Sequence, residues 1–126
     1  MWKDLRTTAI SEDIWSRAVV GGNGEIYWPY SDVSDVLKAI ASSGRVILGF
    51  DFLEFLDQAG QRVTVHGTSG YEVGPRFVAE SWPAYCERSL RLALNDLART
   101  RELTGLSAPF DDLWCTVVVG ENNPYM

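Results

Sequence analysis

The sequence is poor in the side chains that hold metals and polyanions. Among 126 residues it has one histidine, two cysteines and two lysines, Lys3 and Lys38. A zinc or iron site needs several His, Cys or carboxylate ligands converging on one point, so this inventory argues against a metal centre, and no complete cofactor motif replaces it. Eleven basic against seventeen acidic residues give a net charge of -6. That balance argues against nucleic acid, whose phosphates must be neutralised by clustered Lys and Arg, and against an anionic membrane surface. The longest apolar run, Val46 to Leu56, is interrupted by Asp51 and Glu54, too short and too charged to cross a bilayer. No continuous apolar stretch follows the charged amino terminus, which predicts a chain without a signal peptide. Cys86 and Cys115 show no CxxC spacing and are expected as reduced, buried thiols of a cytoplasmic protein.

What is present is ample apolar material for one core. The chain is 46% hydrophobic and 22% charged, which predicts a single domain over residues 1–126 that buries roughly two-thirds of its unfolded surface without a staple. Ile10, Ile14, Trp15 and Ala18 lie at near-helical spacing behind Ser11, a residue suited to capping. Gly21-Gly-Asn-Gly24 breaks the chain, and Glu25 to Pro29 reads as a short extended piece. Ser31 is the expected cap of the next helix, with Asp32 and Asp35 near its positive end and Val33, Val36, Leu37 and Ile40 forming one stripe up to Gly44. Arg45 to Phe50 reads as a strand. Phe52 to Leu56 and Gln61 to His66 read as a hairpin closed by Asp57-Gln-Ala-Gly60. A second strong helix starts near Ser81 with Pro83 in its first turn and an apolar face from Trp82 to Leu97, ending before Gly105 and Pro109. Leu113 to Val119 should return as a strand. This order predicts an α+β fold: a small, mostly antiparallel sheet with the two main helices packed on one face.

Chemistry is sparse along this pattern. Asp51 and Glu54 could serve as an acid and a base, but three residues along a strand place them on opposite faces unless a bulge intervenes. The structural alternative makes Gly49-Phe50-Asp51 a bend or bulge joining two strands, with Asp51 bonded to backbone amides. His66 has no visible catalytic partner, and neither cysteine has a basic neighbour that would favour thiolate. The Gly21 to Gly24 run lacks the GK[ST] ending of a phosphate loop and reads as a turn. More suggestive is the segment 18–37, which holds Glu25, Asp32 and Asp35, no basic residue, and the aromatics Tyr27, Trp28 and Tyr30. Acidic groups beside Trp and Tyr suit a protein-binding surface, and equally a helix start stapled into the core. Tyr71 and Glu72, and Asp111 and Asp112 before the last strand, extend the same candidate surface.

The layout from Trp28 to Val119 resembles immunity protein family 40 of bacterial polymorphic-toxin systems. The residues carrying the resemblance are Trp28-Pro-Tyr-Ser31 opening a helix, Arg45 to Asp51 as a strand ending in a Gly-x-Asp element, Ser81-Trp-Pro-Ala-Tyr85 opening the second helix, and the closing strand Trp114 to Val119. Gly49-Phe50-Asp51 stands where that family commonly has Gly-Gly-Asp, and Tyr71 stands where a tryptophan is expected. The resemblance implies a stoichiometric inhibitor, not an enzyme, that binds a cognate toxin domain and needs no cofactor. Acidic inhibitors associate quickly with basic toxins through electrostatic steering. The readings from another class are a small hydrolase or transferase using Asp51, Glu54 or His66, and an adaptor subunit; oligomeric state stays open on the sequence.

Overall fold

The structure is a computed structural model that describes residues 9–22, 24–57 and 62–120. Its elements in chain order are α1 (Glu12–Arg17), β1 (Val19–Val20), β2 (Ile26–Pro29), α2 (Tyr30–Ser42), β3 (Val46–Phe55), β4 (Val63–Thr68), α3 (Trp82–Leu97), α4 (Thr100–Thr104) and β5 (Trp114–Gly120). The strands form one five-stranded sheet in the order β1-β2-β5-β3-β4, with every pairing antiparallel. The last strand thus completes the middle of the sheet, between β2 and β3. Both long helices pack on the same face, touching each other and the central strands. The expected α+β architecture is the one observed.

Local chemistry explains most element boundaries. Ser11 Oγ accepts from Ile14 N at 3.3 Å and starts α1; Ser81 Oγ accepts from Ala84 N at 3.2 Å and starts α3, with Pro83 in its first turn. Gly44, at φ +84°, ends α2 in the left-handed region that a side chain would resist. Ser31 is not the cap of α2. The helix already begins at Tyr30 behind Pro29, with no side-chain cap, because Tyr30 N–H donates at 2.9 Å to Leu113 O on the approach to β5. The long helical reading that ran to Gly105 also divides: α3 stops at Leu97 and α4 follows, turned off at Gly105 with φ +73°.

The middle strand differs from the sequence reading. No bend occurs at Gly49 to Asp51. Instead β3 runs unbroken for ten residues, and its irregularity against β5 falls between Ile47 and Gly49, at Leu48. Gly49 leaves room for a different contact: a Cβ there would stand 3.1 Å from Ser69 Oγ, the atom that accepts Phe50 N–H at 3.1 Å, and would press on that bond. Asp51 sits in the ladder opposite Thr116 and Thr68, and among the described residues its side chain makes no bond to a backbone amide. The hairpin β3–β4 is present as expected, while its turn, residues 58–61, lies outside the described residues.

The core fills the space between helices and sheet. Val33, Val36, Leu37 and Ile40 of α2 meet Ile47, Phe50 and Phe52 of β3, Cys115 and Val117 of β5, and Trp28 of β2, all at most 2% exposed. Each such side chain contributes about 1.5–3 kcal/mol relative to exposure, which is the main force closing the two layers.

Candidate functional site

The side chains singled out in segment 18–37 are mostly structural. Trp28 has no exposed surface and packs against Trp15 with ring centroids 4.9 Å apart and planes tilted by 59°, so it is a core anchor and not a partner contact. Asp32 is 7% exposed and held by both arms of Arg17, with Nε to Oδ2 at 2.8 Å and Nη2 to Oδ1 at 2.9 Å. That pair neutralises Asp32 from just outside the segment's boundary. Tyr30 packs on Phe110 at 5.1 Å, and its hydroxyl lies 2.9 Å from Thr100 Oγ1, tying the start of α2 to α4. Tyr71 donates its hydroxyl to Ile47 O at 3.1 Å, and burial pushes its pKa well above the usual phenol range. Trp28 and Asp32 therefore leave the contact set, and Tyr30 and Tyr71 act mainly as braces. Asp35, Glu72, Asp111 and Asp112 remain at the surface, and Glu25 is half-buried.

These acidic residues do not form one patch. Tyr71, next to Glu72, reaches the start of β3 at Ile47, whereas Asp112 lines a cleft with Glu54 near the end of the same strand. The seven-residue separation along β3 corresponds to roughly 20 Å. Glu25 belongs to a third place, the helix-free face, where the burial of Asp51 raises that residue's pKa and the charge of Glu25 adds to the rise.

The cleft is the concave feature that gathers chemistry. It encloses about 170 Å³ between Glu54 on β3 and the loop leading into β5, with Leu106, Pro109, Phe110 and Leu113 as apolar walls and Ser107 and Asp112 on the polar side. The loop is fixed from below: Leu113 is buried, its N–H donates to Phe110 O at 3.1 Å, and its carbonyl takes Tyr30 N–H. The Ala108–Pro109 peptide in the loop is cis.

His66 joins the site through an irregularity in the ladder. Leu53 pairs with Val65 and Phe52 with Gly67, leaving His66 as the extra residue of β4. Its Nε2 lies 3.0 Å from Glu54 Oε1; with the carboxylate ionised, that nitrogen is the donor. Asp51 faces the other way, because it pairs with Thr116 while its neighbour Phe52 enters the core. The structure thus brings Glu54 together with His66 on one side and with Asp112 across the cleft, and turns Asp51 to the opposite face of β3 from Glu54. Asp111 and Asp112 are exposed and have no cationic partner among the described residues.

Beside the cleft, on the helix-free side, Trp114 and Phe55 stack at 4.5 Å and Phe55 meets Tyr27 at 5.5 Å. Phe55 and Trp114 are half-exposed, an aromatic rim that the sequence reading did not single out. The pairing of Leu53 with Trp114 across the ladder is the signal that places them together, and it is invisible before the strand order is known.

Carboxylates over apolar walls suit a Lys or Arg side chain, whose stem needs hydrophobic cover and whose head needs anionic acceptors. The thiols are poorly placed for nucleophilic work: Cys86 and Cys115 are free and buried, and burial pushes both thiols up. Among the described residues no group of three or more His, Cys, Asp or Glu side chains could hold a metal ion, and no helix is long and apolar enough to cross a membrane. Comparison with protein-family models, curated proteins and solved structures finds no match to this chain.

Proposed function

We propose that this chain is a cytoplasmic, stoichiometric inhibitor that binds a basic toxin domain, in the manner of the immunity proteins its layout resembles. The observation that carries this reading is the cleft itself: Glu54 and Asp112 over apolar walls, with Asp111 exposed beside it and the Phe55–Trp114 pair on the adjoining rim. A basic side chain of the toxin enters the cleft, aromatic surface closes around it, and the net charge of -6 speeds encounter.

The test begins with the reading frame next to this gene, where a long secreted protein with a variable carboxy-terminal domain is expected. Binding of that domain is then measured for the wild type, for Asp111→Asn/Asp112→Asn, and for Asp35→Asn/Glu72→Gln. The first double variant should slow association about tenfold at low salt and flatten its salt dependence, while the second should change little. Equal on-rates for the wild type and the Asp111/Asp112 variant place the interface elsewhere.

One geometry favours a second reading, a small hydrolase: the His66–Glu54 pair is arranged as a base with its orienting carboxylate. A turnover that disappears in a folded His66→Gln variant would favour it; neutralisation of the toxin domain by that same variant favours the inhibitor.

A further inference from the structure

His66 carries the one imidazole of the chain, and the fold puts it where a proton has an effect. Glu54 pairs with Thr64 and Leu53 with Val65; a regular ladder would then set His66 opposite Phe52, inside the core. Gly67 takes that place instead. A side chain has no room there, because a Cβ on Gly67 would collide with the carbonyl of Leu103 in α4. The imidazole is thereby displaced from the core, is 26% exposed, and has its Nε2 3.0 Å from Glu54 Oε1.

Glu54 is shared between two neighbours. One of its oxygens meets His66, and the same side chain, 42% exposed, lines the cleft with Asp112. The end of α4 joins the two places: Leu103 lies against Gly67, and Leu106, whose N–H donates to Thr104 Oγ1 at 3.1 Å, is a wall of the cleft. A neutral imidazole donates Nε2–H to the carboxylate and leaves its charge to a cation in the cleft, whereas an imidazolium forms an ion pair with it and cancels that charge. Histidine is the side chain suited to this change between about pH 5 and 8. Neither thiol competes in that range, since burial pushes both up.

The charged groups of the surrounding elements leave Glu54 as the partner of His66. Asp51, also on β3, faces the other side of the sheet. Arg62, just before β4, and Arg101 of α4 are exposed; Glu102 of α4 pairs with Arg99 at 3.1 Å; Asp111 and Asp112 stand on the loop before β5. Among the described residues no carboxylate besides Glu54 comes within ion-pair distance of the imidazole.

We propose that cation binding in the Glu54–Asp112 cleft is proton-linked: His66 and the bound cation compete for the Glu54 carboxylate, so protonation of His66 weakens the complex and binding expels that proton. The inference rests on the reading of the cleft as a site for a basic side chain. By linkage, affinity is full above the histidine range and falls as pH falls through it. Because the pair is partly exposed, the loss is about three- to fivefold.

The probe is the blocked peptide acetyl-Gly-Arg-Gly-amide, whose guanidinium keeps its charge throughout, titrated into the full chain at low ionic strength and followed by NMR through the amide signals of Phe110 and Leu113. Its Kd should rise about three- to fivefold from about pH 8 to about pH 5.5, a range above that of ordinary carboxyl groups. His66→Gln, whose side-chain amide still donates to Glu54 but takes up no proton, should bind with one Kd across the range. Glu54→Gln should bind more weakly at high pH and lose the pH dependence as well. Both positions are partly exposed, and thermal melts check that each variant is folded. A wild-type Kd that does not change with pH, or a change that persists in His66→Gln, overturns the proton linkage and leaves the cleft reading standing. A peptide that moves neither cleft signal at any pH overturns both.

Discussion

Replacing Asp96 by alanine tests how the loop between β4 and α3 is fastened to the rest of the fold. The carboxylate is 5% exposed; Oδ2 accepts Gly70 N–H at 2.6 Å and Tyr71 N–H at 2.9 Å, while Oδ1 takes Arg99 Nη1 at 3.3 Å. A hydrogen bond to an ionised acceptor contributes about 1.5–3 kcal/mol, and a buried donor left unmet costs about 1–3 kcal/mol. Gly70 is exposed, so water replaces part of its loss; Tyr71 is half-buried and loses more. Asp96→Ala should therefore cost about 2–4 kcal/mol, a large share of the roughly 5–15 kcal/mol that holds a domain of this kind. Asp96→Asn keeps an acceptor oxygen but no charge, and should cost about 1 kcal/mol. Urea unfolding followed by tryptophan fluorescence measures both, and unchanged m-values are needed for the comparison. Equal costs for Ala and Asn, or an Ala cost below about 0.5 kcal/mol, would refute the reasoning. The loop would then be held without Asp96, by Tyr71 through its hydroxyl bond to Ile47 O and its contact with Phe50, and by Tyr85 and Arg88, which bond Gly74 O, Val73 O and Pro75 O.

Two further substitutions probe backbone approach and buried charge. Gly67→Ala drives a Cβ into the carbonyl of Leu103, so β4 and α4 must separate; a loss of about 1–3 kcal/mol is expected, with faster hydrogen exchange in α4. Asp51 has a raised pKa from burial and from Glu25, so the folded state holds its proton more tightly than the unfolded chain. Its contribution consequently turns unfavourable as pH rises through the carboxyl range, and Asp51→Asn should stabilise the protein at pH 7 by up to about 1 kcal/mol. That advantage should vanish at acid pH where Asp51 is protonated; urea midpoints across pH 3–8 report it, and a variant less stable at pH 7 contradicts it.

The elements legible in the sequence are those set by neighbours in the chain. Ser11 and Ser81 cap the helices that follow them because capping involves a side chain and an amide three residues on. The stripes of α2 and α3, the extended piece before α2 and the β-branched run of β5 are periodicities that any fold would have to respect. The candidate site was only half legible: Glu54, His66 and Asp112 were each noticed, but nothing in their spacing shows that they meet. His66 points at Glu54 because one extra residue in β4 shifts its register against β3. Arg17, fifteen positions from Asp32, removes an acidic residue from the surface by a contact that no local window contains.

What the sequence by itself determined is the α+β class, the two long helices and the acidic balance, because propensity, capping and charge are carried by short stretches of chain. Tertiary structure decided the rest. The insertion of β5 between β2 and β3 turned Trp28 from an apparent anchor into core and put Trp114 beside Phe55. Pairing between distant strands is set by which apolar faces bury together, and a one-residue bulge reverses the face on which every following side chain lies.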